Sequence, residues 1–168
     1  FVLMRNLFFL AIIICFGFLS CRNNDEPVQK IDQIINLYID SLGQDMLNSN
    51  IKGSYTNISM NDLNGLTDNA PVNFTNKKDA DTVNYIEYLA GAKRIAIDST
   101  AVLTTYESRI TLSLTKRIND STNGVSRDLV RIQYTSTPEL FQVSKVWYNE
   151  VLKFTKVEGQ PNILKISK

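Results

Sequence analysis

Carboxylates and phenols are the groups through which this chain could do chemistry, because it contains no histidine. That absence removes imidazole general bases, Ser-His and Cys-His nucleophile systems and histidine-containing zinc sites. Three acids, Glu87, Asp98 and Glu107, stand where the apolar spacing changes from helix-like to alternating. Carboxylates do acid–base work when burial separates their pKa values, whereas solvated surface acids, the ordinary reading of all three, do not. Tyr106 and Tyr134 share the parity of the apolar side of their strands, and Tyr148 adjoins Trp147. Around a curved sheet these four side chains could line a pocket and present hydroxyls to a ligand. The plainer alternative is an aromatic core whose hydroxyls reach its rim. No catalytic residue is assigned.

Other motifs fail on spacing. Met60-Asn61-Asp62-Leu63-Asn64-Gly65 suggests a calcium loop, but its first and twelfth positions fall on Met60 and Pro71, which carry no carboxylate. Ser113-x-x-Lys116 has the spacing of a nucleophile pair but lies on an alternating strand. No metal or other cofactor is expected.

The apolar run Leu7–Leu19 follows Arg5 and stops two residues before Cys21. It is about as long as a secretory core and shorter than the roughly 20 residues of a membrane-spanning helix. Phe18-Leu19-Ser20-Cys21 resembles the lipobox of bacterial lipoproteins, with the small residue and the cysteine in place and Phe18 where leucine is commoner. The resemblance implies cleavage between Ser20 and Cys21, a diacylglycerol thioether on Cys21, and location in the cell envelope, at the outer membrane. Several acyl chains together make such attachment effectively stable. Arg22-Asn23-Asn24-Asp25-Glu26 resembles the surface-export signal of Bacteroidota-type lipoproteins, and reads equally as a solvated tether over residues 21–27.

Removing residues 1–20 takes one base and no acid, which equalises the charges of what remains. A neutral chain without a basic block argues against a nucleic-acid partner. With Cys15 in the leader and Cys21 lipidated, residues 22–168 hold no thiol for a disulfide or metal.

Residues 28–168 read as a single α+β domain. Ile31, Ile34, Ile35, Tyr38, Leu42 and Met46 form a stripe at three- and four-residue intervals, which predicts a helix over 28–47. Residues 50–79 read as an irregular connection with a helical turn near 61–65 and a brief strand at 72–74. A second helix is expected over 80–92, with Val83, Tyr85, Ile86 and Leu89 inward. Thereafter alternation predicts strands over 101–118, 127–136, 140–148, 150–158 and 163–167, with a hairpin loop at Asn119–Gly124. Helices followed by an antiparallel meander imply N-terminal helices packed on a curved sheet. That element order resembles the NTF2-like and cystatin-like folds, which host enzymes and binding modules alike.

The reading is therefore a membrane-anchored envelope lipoprotein carrying a non-catalytic module for a small ligand or a protein. Two alternatives stand beside it. One is an NTF2-like enzyme with a buried carboxylate and tyrosines in a sheet-lined pocket. The other is a surface glycan-binding component using Trp147-Tyr148.

Overall fold

A computed structural model describes residues 28–168, and every described element in it is a strand. In chain order these are β1 (Lys30–Asp32), β2 (Ile35–Ser41), β3 (Gln44–Asp45), β4 (Tyr55–Asp62), β5 (Phe74–Lys78) and β6 (Asn84–Tyr88). They continue as β7 (Ile95–Ser99), β8 (Thr104–Asn119), β9 (Thr122–Ser136), β10 (Leu140–Tyr148), β11 (Val151–Thr155) and β12 (Asn162–Ser167). The larger, seven-stranded sheet runs β1-β10-β9-β8-β4, with β11 also on β10 and β7 also on β8. The smaller, five-stranded sheet runs β12-β2-β6-β5, with β3 on β2.

The larger sheet is built on the β8–β9 hairpin, whose register runs from Thr104↔Ser136 to Asn119↔Thr122. Its inner face carries Ser108, Ile110, Leu112, Leu114, Val130, Ile132 and Tyr134, all buried, because alternate residues of a strand point to one side. The smaller sheet faces it with Ile35, Leu37, Ile39, Ile86, Leu164 and Ile166. A cavity between the layers, lined by side chains of both sheets such as Leu37, Met60, Tyr88 and Ile132, measures ≈ 20 Å³. A volume that small and that apolar holds no ligand, so the interior is a packed core.

Two tight turns explain how short strands double back. Leu42 and Gly43 (φ 51° and 77°) join β2 to β3, and Asn149 and Glu150 (φ 47° and 64°) join β10 to β11. Positive φ at both central residues matches the twist of the flanking strands, as in type I′ hairpins.

The predicted α+β architecture is wrong, and with it the NTF2-like and cystatin-like resemblance. Residues 28–47, expected as a helix, form β1, β2 and β3. Ile35, Leu37 and Ile39 are buried, while Ile31, Ile34 and Leu42 of the supposed stripe are exposed. Four isoleucines favour strand over helix, since β-branched side chains lose rotamer freedom against a preceding helical turn. The expected helix over 80–92 contains β6 instead, with Ile86 and Tyr88 inward and Tyr85 and Glu87 alternating outward. The expected helical turn at 61–65 is the end of β4 followed by a non-helical turn, and the brief strand at 72–74 begins two residues late as β5.

A candidate binding surface on the outer face of the larger sheet

The structure separates the four aromatic side chains singled out from the sequence. Tyr134 is wholly buried, stacks on Phe141 with ring centroids 5.5 Å apart, and shares a hydrogen bond of 3.2 Å with Ser108. Tyr106 packs against the same Phe141, at 6.3 Å. The Arg94 guanidinium covers this aromatic group, 4.8 Å from the Phe141 centroid and 5.6 Å from that of Tyr134. Tyr148 is buried on the same inner face, its hydroxyl beside Asp128 but without a hydrogen-bond partner. Burial, with the Asp128 carboxylate adding to it, raises the Tyr148 pKa. Tyr134 and Tyr148 therefore belong to the core, and the partly buried Tyr106 packs against it.

Trp147 points the other way, because it is one residue from Tyr148 on the same strand. It lies on the solvent side, where register sets Arg109 opposite Arg131, Arg131 opposite Trp147, and Trp147 opposite Leu152. The Arg131 guanidinium sits 3.8 Å from the Trp147 ring centroid, a close cation–π contact.

Glu107 joins this group and is one of the three acids considered as chemistry-bearing. One of its oxygens accepts from Arg109 Nε at 2.8 Å and the other from Arg131 Nη1 at 3.2 Å. Glu150, at the turn into β11, lies 3.5 Å from Arg131 Nη2. The Glu107 side chain is only 11% exposed although it faces outward, because the two arginines cover it. Both oxygens are committed to cations, so Glu107 holds two arginines apart and in place and is not poised as a base. Its hydrogen bond raises the Arg109 pKa still further.

The other two acids lie elsewhere. Glu87 belongs to the smaller sheet and pairs with Lys77 at 2.7 Å, and Asp98 is exposed on edge strand β7. Among the described residues none of the three hydrogen-bonds another. Two further acids are buried as structural ties. Asp62 accepts from the backbone N–H groups of Asn64 (2.8 Å) and Lys93 (2.6 Å). Asp128 accepts from Ser126, Asn149 and Lys168 at 2.8, 3.0 and 2.5 Å. Burial alone would raise the Asp128 pKa, but these hydrogen bonds outweigh it and bring the group down to about 2.

Among the described residues no three His, Cys, Asp or Glu side chains group as metal ligands. An open groove of ≈ 440 Å³ lies beside β1, between Lys30, Gln142 and Glu158, and its wall is the ion pair of Lys156 with Asp32 (2.5 Å). Lys156 also donates to Gln160 O and Asn162 Oδ1, so its three protons are used in joining β1 to the start of β12.

The residues missed by sequence reasoning are Arg109, Glu150 and the role of Arg131. Alternation already places Arg131 opposite the core face, and Glu107-x-Arg109 has the spacing of neighbours on one side of a strand. Only register brings the two strands' charges together. Cys21 and Ser20, the residues on which the lipid attachment depends, lie outside the described residues. No protein-family model matches this chain, and no curated protein or solved structure matches it either.

Proposed function

We propose that this chain is an envelope lipoprotein, held to a membrane through Cys21, whose β-sandwich binds a protein partner and catalyses no reaction. One observation carries the binding reading. The aromatic side chains suited to lining a pocket fill the inter-sheet core, whereas Trp147, Arg109, Arg131 and half-exposed Leu152 share one outward-facing surface. Tryptophan and arginine are the side chains enriched where protein interfaces concentrate their binding energy. The balanced charges of Glu107, Glu150, Arg109 and Arg131 make this surface polar without a net field, in keeping with a neutral chain.

The glycan reading has less support. It relied on Trp147 and Tyr148 as a joint stacking platform, but they occupy opposite faces of β10, and Arg131 already covers the indole. The membrane attachment rests on the lipobox resemblance at Phe18-Leu19-Ser20-Cys21.

Two measurements test the proposal. Metabolic labelling with a palmitate analogue is expected to mark the wild-type chain and to disappear in Cys21→Ala; label retained by that variant refutes the anchor. Photo-crosslinking in cells from an amber-encoded benzophenone at position 152 is expected to give a discrete adduct that Trp147→Ala removes. An adduct pattern identical to that from position 123, on the distant hairpin, refutes the binding surface.

A further inference from the structure

One end of the larger sheet gathers exposed apolar side chains around the place where the chain enters the fold. Val28 is 94% exposed, Val102 71%, Ile31 62% and Leu103 38%. Register sets them at the same end: Ile31 pairs with Phe141, Phe141 with Ser136, and Ser136 with Thr104. The turn between β7 and β8 closes there through Thr100 N–H to Leu103 O, at 2.8 Å. The incoming chain is fixed at that end too. Lys30 N–H donates to Glu139 O at 2.8 Å, and Gln29 Nε2 to Thr137 O at 2.6 Å.

Length then limits how the molecule stands. Residues 22–29 separate Cys21 from Lys30, and even fully extended they reach no more than about 30 Å. Strand β8 has 16 residues, so its far end lies roughly 50 Å from its start at the usual rise per residue. With Cys21 in the bilayer surface, the end bearing Val28, Ile31, Val102 and Leu103 must stay within reach of the headgroups. The hairpin tip at Asp120-Ser121 has no such constraint. The β7–β8 turn carries no lysine or arginine over Ile97–Thr104, and Lys30 is the one base beside Ile31 in sequence, so the contact offered by Val102 and Leu103 is apolar. Asp98 and Glu139, at the same end, keep that contact at headgroup depth.

We propose that this end of the sandwich rests in the interfacial layer of the bilayer, with Val102 and Leu103 at the β7–β8 turn and Ile31, three strands away at the same end, supplementing the acyl chains. The inference rests on the reading of Cys21 as lipidated. It orients the outer surface of Glu107, Arg131 and Trp147 sideways along the membrane, open to a neighbouring protein.

The test uses the full chain, purified with its lipid and reconstituted into phosphatidylethanolamine–phosphatidylglycerol vesicles. Single cysteines are introduced as Val102→Cys, Ser121→Cys and Leu152→Cys and labelled with bimane, since acylated Cys21 offers no competing thiol. Lipid-borne nitroxide is expected to quench position 102 several-fold more than 121 or 152, with no change at high salt, because the contact is not electrostatic. Equal quenching at all three positions, or preference for 152 or for 121 (close to exposed Ile118), overturns the proposal. Palmitate labelling of the same preparations reports the anchor separately. Labelled protein with unquenched position 102 sinks the docked end and leaves the anchor standing. Unlabelled protein sinks the anchor, and the docked end then survives only if position 102 is still selectively quenched.

Discussion

The two faces of the β8–β9 hairpin are made from the same strands but obey different rules. Inward, Ile110, Leu112, Leu114, Ile132 and Tyr134 are closed off by the smaller sheet, and Tyr134 satisfies its hydroxyl within the core through Ser108. Outward, Glu107, Arg109 and Arg131 form an ion-paired group around Trp147, with Arg109 half-exposed. Burial fixes the first set, so each member is replaceable only at a cost in stability. Charge pairing fixes the second: Glu107 is covered by its two arginines, while the half-exposed Arg109 is in contact with water, where a pair contributes little to folding. The lesson is that one hairpin supplies both the scaffold and the surface left free to be recognised.

Substitutions at neighbouring positions sharpen that contrast. Tyr134→Ala removes a fully buried ring and is expected to cost about 4 kcal/mol in urea unfolding, whereas Gln133→Ala, one residue away and facing out, is expected to cost under about 0.5 kcal/mol. Equal losses at the two positions would break the distinction between the faces.

Asp128 comes next. Its folded pKa of about 2 lies below the unfolded carboxylate value, near 3.9, so its stabilisation of about 2 kcal/mol is present above roughly pH 4 and fades as pH falls toward 2. Asp128→Asn is expected to lower stability at pH 7 by that amount and to flatten the acid limb of a stability–pH profile. An unchanged acid limb would deny Asp128 this role. On the outer face, Glu107→Gln leaves Arg109 and Arg131 directly opposite one another and is expected to cost about 1 kcal/mol, with partial recovery in high salt. Arg109→Ala should be smallest, within about 0.5 kcal/mol by thermal melting; a larger loss would make the outer group part of the scaffold.

Legibility from the sequence followed how local the determining interactions are. Alternation alone gives strand β10 its observed bounds, Leu140–Tyr148, and gives β8 and β9 their inward parity, because Ile110, Leu112, Leu114, Val130, Ile132 and Tyr134 alternate without interruption. Over 28–47 two patterns compete. Ile31, Ile34, Ile35 and Tyr38 satisfy helical spacing, while Ile35, Leu37 and Ile39 satisfy alternation equally well. The contest is decided by β12, which pairs in parallel with β2 from Asn162↔Ile35 to Ser167↔Asp40, a partner no local window contains. The outer group was half legible. Alternation gives Arg131 its side, but register alone puts it over Trp147 and against Glu107.

By itself the sequence determined the chemistry this protein lacks: without histidine, imidazole catalysis is closed to it whatever the fold. It also determined the alternating strands of residues 104–148, since side-chain parity is a property of the strand itself. Tertiary structure decided that the regular elements within residues 28–99 are strands, that Tyr134 and Tyr148 fill a core with Tyr106 packed against it, and that Trp147 lies among charges. Each of those outcomes depends on hydrogen-bond partners and packing layers from remote parts of the chain, whose contribution exceeds the weak local preferences of the residues concerned.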